Sequence, residues 1–216
     1  MNWIVPPGPV ADGCRIGLLG GSFNPAHAGH LYVSDTALKR LKLDSVWWLV
    51  SPGNPLKDPA SMAPLAARLE NARRMAAHNP RIHVSALEQA LHTLYTIDTV
   101  AALQRRFPGV HFVWLMGSDN LEQFSRWRRW SDLARRIPIA VVQRPGSLLA
   151  ALNAPLVRRF GMTRRLCRPE QPPAVTPGLG LAQPDFSFVL WLQAGSSSRA
   201  WISLAFMLFS RGSDNS

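Results

Sequence analysis

Arg15-Ile16-Gly17-Leu18-Leu19-Gly20-Gly21-Ser22-Phe23-Asn24-Pro25-Ala26-His27-Ala28-Gly29-His30 decides the fold. Ile16, Leu18 and Leu19 form a short apolar run, the pattern of a strand covered on both faces. Gly20 and Gly21 follow at once, and two glycines there free the backbone for positive φ and for close approach by a ligand. Asn24-Pro25 is a turn signal. His27 and His30 stand three residues apart where a helix is about to begin, so they share one helical face. A helix N-terminus presents unpaired N–H groups and a partial positive charge, which suits phosphate. Two imidazoles add hydrogen-bond donors to that site. The stretch is not a Walker A loop, because no Gly-Lys-Ser/Thr follows, and its glycine spacing is not that of the dinucleotide-binding fingerprint.

Outward from this stretch, strands alternate with helices. A helix is predicted over residues 31–43, with Lys39, Arg40 and Lys42 near its end, where cations complement the helix dipole. Residues 45–50 are a strand by their β-branched and aromatic content. Residues 51–55 are a loop, and Lys57 sits just beyond it. A helix is expected over 64–77 with Pro64 in its first turn, then a short strand over 81–84 and an irregular stretch over 87–95. Thr96 is placed to cap a helix running to Arg106, and Pro108-Gly109 stops it. Residues 110–116 are strongly strand-like, 121–136 read as one helix rich in Trp and Arg, and 137–143 as a further strand. The alternation predicts an α/β class: a Rossmann-like, doubly wound parallel sheet with helices on both faces. Ligands in such folds bind beyond the carboxyl ends of the strands. In the tail, 148–160 is a candidate helix, 168–184 a Pro-rich loop and 186–192 a strand.

The chain has 216 residues, of which 47% are hydrophobic, enough for the core of one domain. Its formal charge is +11, from 24 Lys+Arg against 13 Asp+Glu. Such a field favours polyanions, whether nucleotides, nucleic acid or an acidic membrane surface, and the basic residues are spread rather than blocked, so no nucleic-acid arm is evident. Cys14 and Cys167 are too far apart to give a metal spacing or a disulfide framework, and reduced thiols in the cytoplasm are expected. Residues 1–13 lack the pattern of a signal peptide, and no apolar run is long enough to span a membrane.

Three further clusters carry candidate chemistry. Ser51-Pro52-Gly53-Asn54-Pro55-Leu56-Lys57 ends in a mobile point charge suited to phosphate. Thr93-Leu94-Tyr95-Thr96-Ile97-Asp98-Thr99 marks a helix start. Gly117-Ser118-Asp119-Asn120-Leu121 is followed by Trp127 and Trp130. Arg126, Arg128 and Arg129 surround Trp127, a poor setting for a fully buried ring but a good one for stacking on an aromatic anion.

The run Gly20-Gly21-Ser22-Phe23-Asn24-Pro25-x-His27-x-Gly29-His30 resembles the signature of the nucleotidyltransferase superfamily, in the form of bacterial nicotinate-nucleotide adenylyltransferases. The other clusters match that family in order and approximate spacing over residues 15–146. The resemblance implies adenylyl transfer from ATP, with Mg²⁺ on its triphosphate, to nicotinate mononucleotide in NAD biosynthesis. It implies that His27 and His30 act on the α-phosphate and that Gly20, Gly21, Ser22, Phe23, Lys57, Gly117 and Arg144 serve ATP and its phosphates. It further implies that the backbone at Thr96 and Ile97, together with Tyr95, Asp119 and Trp127, serves the mononucleotide. No protein metal site is implied, and a homo-oligomer is compatible.

On the same reading residues 1–14 are a loose leader, 15–163 the nucleotidyltransferase domain, and 164–216 a divergent segment partly packed on it. The family usually carries Ile-Ser-Ser-Thr-x-x-Arg near its C-terminus. The nearest remnant is Ser196-Ser197-Ser198-Arg199, without the Thr and the Arg spacing, so weakened handling of ATP is expected. Two alternatives keep part of this reading: a nucleotidyltransferase with another acceptor such as phosphopantetheine, and a nucleotide- or RNA-binding protein without catalysis. The Tyr95-Thr96 loop and Trp127 favour nicotinate.

Overall fold

A computed structural model of the chain describes residues 5–53, 61–142, 165–167 and 189–192. Seven strands form one sheet: β1 (Arg15–Gly21), β2 (Ser45–Val50), β3 (Ile82–Ser85), β4 (His111–Gly117), β5 (Ile139–Val142), β6 (Arg165–Cys167) and β7 (Val189–Leu192). Their order is β3-β2-β1-β4-β5-β7-β6. The first five pair in parallel, as the alternation of strands and helices predicts. The two tail strands add an antiparallel edge, β7 on β5 and β6 on β7. The strand-like run over 186–192 thus becomes β7, while β6 carries no periodicity that sequence reading could use.

Six helices connect the parallel strands: α1 (Ala28–Arg40), α2 (Leu65–Ala76), α3 (Leu87–Ala90), α4 (Thr96–Arg106), α5 (Leu121–Phe124) and α6 (Trp130–Arg136). Alternate residues of each strand point to opposite faces, so one sheet builds two cores. Leu18, Trp47 and Trp114 face the helices α3 to α6, with Val100, Leu103, Phe124 and Leu133. Leu19, Trp48 and Leu115 face α1 and α2, with Val33, Ala37 and Ala72. Strands covered on both faces must be apolar throughout, and every residue of β2 is buried.

Several expectations are corrected. Gly20 and Gly21 lie inside β1, and neither adopts positive φ. Gly20 is required for space, because a Cβ there would collide with the ring of Trp114. Positive φ falls instead on Phe23, at 46°. Pro64 is the N-cap of α2 rather than a first-turn residue. Tyr95, not Thr96, is the N-cap of α4, and part of the irregular 87–95 stretch forms α3. The helix expected over 121–136 is broken. A 3-10 turn over Ser118–Asn120 leads into α5, and Arg129 at φ 50° starts α6 afresh. The break turns the Trp127 ring edge-on to Trp114 at 5.8 Å, while Leu133 stays in the core. Tertiary packing overrides the helical pattern there. Before β1, Gly13 N–H donates to Gly109 C=O, and Val10 packs on the core. The candidate helix over 148–160, the loop over 168–184 and the Ser196–Arg199 remnant lie outside the described residues.

Gly20→Ala should therefore destabilise the chain by about 1–3 kcal/mol, the usual range for an overpacked core. Urea unfolding measures it, and Gly53→Ala, where a Cβ meets nothing within 4 Å, is the control.

Candidate active site

β1 and β4 are neighbours, but β1 continues to β2 on one side and β4 to β5 on the other. Their connections leave toward opposite faces, which opens a crevice at the carboxyl ends of the two strands. A cleft of about 600 Å³ occupies that place. Gly20, Gly21, Ser22, Phe23, His27 and His30 line one side, and Tyr95, Thr96, Gly117, Asp119 and Trp127 the other. Ile97 is buried in the core beside the cleft. Lys57 and Arg144 lie outside the described residues.

His27 is the N-cap of α1 and His30 its third residue. The Nδ1 of His27 accepts from the Gly29 N–H at 3.1 Å, and the Nδ1 of His30 accepts from the His27 N–H at 3.2 Å. The two side chains satisfy helix-start donors reciprocally, as a capping box does. A ring nitrogen that accepts an N–H bond carries no proton, so in each neutral imidazole the proton sits on Nε2. The backbone thereby selects the tautomer that donates from Nε2.

The His30 ring stacks on Phe23 at 4.5 Å, and Phe23 stacks on Trp48 at 5.1 Å. Phe23 is 1% exposed despite its left-handed backbone, so burial of its ring offsets the strain at that φ. Trp48 Nε1 donates to Ser34 Oγ at 2.8 Å, and Ser34 Oγ donates to the His30 carbonyl at 2.8 Å. Ring and backbone of His30 are both held from below.

The loop between β1 and α1, with its cis Asn24-Pro25 bond, is tied to the start of α2. Asn24 Nδ2 donates to Ser61 C=O at 3.0 Å, and Asn24 Oδ1 accepts from the Ala63 N–H at 3.1 Å. Asn71 Oδ1 accepts from the Ala26 N–H at 2.9 Å. Arg68 donates from Nη1 to the carbonyls of Ser22 at 2.7 Å and Ser51 at 2.8 Å.

Opposite, the Trp127 ring is half-buried, edge-on to Trp114 and 5.2 Å from Phe124. The Arg128 guanidinium lies 4.6 Å over the Tyr95 ring, which places a cation beside the start of α4. Thr96 and Ile97 are the first two residues of that helix, whose N–H groups have no intrahelical acceptor. This side therefore offers an aromatic face, two backbone donors and positive charge, a set suited to a planar anion.

Sequence reading missed Arg68, Glu88, Ser34, Asn71 and the stacking of Arg128 on Tyr95. Each acts through a partner distant in sequence, so spacing carries no sign of it. Glu88 lines the cleft and is 6% exposed. Burial pushes its carboxyl up to about 7, and the hydrogen bond from Thr99 pulls the other way.

In the unfolded chain Glu88 ionises near 4.5, while in the folded chain it holds its proton to about 7. The folded state binds the extra proton in that window, so stability falls as pH rises through it and stays low above. Glu88→Gln should remove that loss. It should stabilise the chain at about pH 8 by on the order of 3 kcal/mol and change little at about pH 4. Urea titrations at the two pH values check this, and equal effects at both would contradict it.

The cytidylyltransferase-like family matches residues 18–194. A protein of Rhizobium johnstonii named "Probable nicotinate-nucleotide adenylyltransferase" is 51% identical over 152 residues, covering 70% of this chain and 76% of its own. One of the same name from Cereibacter sphaeroides is 56% identical over 145 residues, covering 67% and 76%. The Plasmodium falciparum nicotinic acid mononucleotide adenylyltransferase complexed with NaAD superposes with a TM-score of 0.56 at 19% identity, over 65% of this chain and 71% of that one, and so shares the fold. Among the described residues no helix is long and apolar enough to cross a membrane, and no group of three or more His, Cys, Asp or Glu is placed to hold a metal ion. With a crevice at the β1/β4 switch, paired histidines at its helix start and relatives 51–56% identical over the aligned residues, the chain belongs to the cytidylyltransferase-like family, among the nicotinate-nucleotide adenylyltransferases.

Proposed function

We propose that the chain transfers the adenylyl group of ATP to nicotinate mononucleotide, giving nicotinate adenine dinucleotide and pyrophosphate in NAD biosynthesis. The observation that carries this is the histidine pair, whose Nδ1 atoms are occupied by backbone N–H groups so that Nε2 donates. A 5′-phosphate oxygen of the mononucleotide attacks the α-phosphorus of ATP in line. The bond from that phosphorus to the α,β-bridging oxygen breaks, and its electron pair leaves with pyrophosphate. The nucleophile is already an anion, so no strong general base is required. Rate comes from positioning and from donors that meet charge as it develops.

His27 and His30 donate to the α-phosphate oxygens. Gly20, Gly21, Ser22 and Phe23 shape the nucleotide side, and Gly117, Lys57 and Arg144 are assigned to the phosphates of ATP by the family resemblance. Mg²⁺ arrives with ATP, held by phosphate oxygens and water. Trp127 stacks on the pyridine ring, the Thr96 and Ile97 amides take its carboxylate, Tyr95 walls the ring, and Asp119 faces the sugar. Reaction in the cytoplasm fits a half-buried free thiol at Cys14.

His30→Ala should lower turnover by about 100- to 1000-fold, the usual cost of one such donor, while ATP binding changes little. Coupled detection of pyrophosphate reads the rate, and near-normal turnover would remove the histidines from catalysis.

The carboxylate accepts charge-assisted bonds from N–H donors, whereas a carboxamide turns an NH₂ toward them. The acid mononucleotide should therefore be used in preference to the amide. Trp127→Ala should raise the Michaelis constant for the acid acceptor and leave that for ATP nearly unchanged. Equal use of acid and amide by the unmodified chain would refute the carboxylate contacts.

A further inference from the structure

Arg68 breaks three rules at once. It is the fourth residue of α2, where a cation opposes the helix dipole. It is 3% exposed. Among the described residues no carboxylate pairs with it. Burial alone lowers its basicity, yet a guanidinium stays charged at neutral pH. Its hydrogen bonds go to main-chain carbonyls: Nε to Ala63 at 2.8 Å, Nη1 to Ser22 and Ser51, and Nη2 to Pro52 at 3.2 Å. Carbonyl dipoles satisfy the donors without neutralising the charge.

A buried cation that meets no carboxylate among the described residues is costly and persists where something offsets it. Three of the carbonyls that Arg68 grips, those of Ser22, Ser51 and Pro52, belong to the two loops at the carboxyl ends of β1 and β2, whereas Ala63 precedes α2; Ser22 and Ser51 both line the cleft. The cation lies beneath the half of the cleft where polyphosphate is expected. Drawing the Ser22 and Ser51 carbonyls down toward α2 also keeps those acceptor oxygens engaged, where they would otherwise repel an anion. We infer that Arg68 is a positioning residue for the polyphosphate of the nucleotide, fixing the Ser22 and Ser51–Pro52 loops and supplying a positive charge from below. This rests on the adenylyl-transfer reading for the identity of the nucleotide and on the geometry for the anion.

The test uses the full chain with tripolyphosphate, MgATP and nicotinate mononucleotide in calorimetric titrations, with hydrogen exchange over 22–26 and 51–53. Arg68→Lys keeps the charge and loses the fork, and Arg68→Gln loses both. Tripolyphosphate and MgATP affinities should fall about 10-fold in the first and about 100-fold in the second. Mononucleotide affinity should stay within about twofold, since its anchors lie across the cleft. Both loops should exchange faster in each variant.

Unchanged tripolyphosphate affinity in a folded Arg68→Gln chain overturns the inference, as does an equal loss for the mononucleotide. Should Arg68→Gln not fold, Arg68→Lys decides by the same criteria. Exchange in the unmodified chain is a second measure: tripolyphosphate should slow both loops, and no slowing overturns the inference. If tripolyphosphate binds in an Arg68-dependent way but no dinucleotide forms, the adenylyl-transfer reading falls and the assignment of Arg68 stands.

Discussion

The hydrogen bonds that the His27 and His30 side chains accept from the Gly29 and His27 N–H groups are the constraint on which the site depends. They begin α1, satisfy donors that a helix start leaves open, and choose the imidazole tautomer. Structure and chemistry share the same atoms. A doubly protonated ring cannot accept a backbone N–H bond, so the protonation state that ends Nε2-only donation also loosens the helix start.

Everything beneath that pair serves to hold it still. Phe23 accepts an unfavourable backbone conformation to place its ring under His30, and Trp48 lies under Phe23. The Trp48–Ser34–His30 chain fixes the first turn from the core side. Asn24 and Asn71 tie the preceding loop to α2. The acceptor side is built differently, from aromatic edges and an exposed arginine over Tyr95. One half of the cleft is a fixed lattice of hydrogen bonds, and the other is a set of ring contacts.

Much of this was legible in the residues. The apolar run Ile16, Leu18 and Leu19 reads as a strand covered on both faces, and these residues do pack into the two opposite cores. The turn and paired histidines, and Trp127 among arginines, stand out separately in the sequence, and they line one cleft. What escaped reading depends on contacts between distant segments. Arg68 looked like an ordinary helical arginine, because its partners are carbonyls 5 to 46 residues away. Glu88 fell in a stretch without periodicity. Gly20 was read for backbone freedom, whereas the ring of Trp114 dictates it. The break at Arg129 needed knowledge of where Trp127 would pack.

Trp114 has a consequence of another kind. Its ring fills the space above Gly20 and also meets the Trp127 ring edge to face across the cleft. The two half-sites therefore share a wall one side chain thick. Divergence at positions 20, 114 and 127 must be concerted: a larger residue at 20 calls for a smaller ring at 114, which in turn removes the surface that sets the tilt at 127. A lineage drifting toward a different acceptor would carry that change across to the phosphate loop, and these three positions would vary as one.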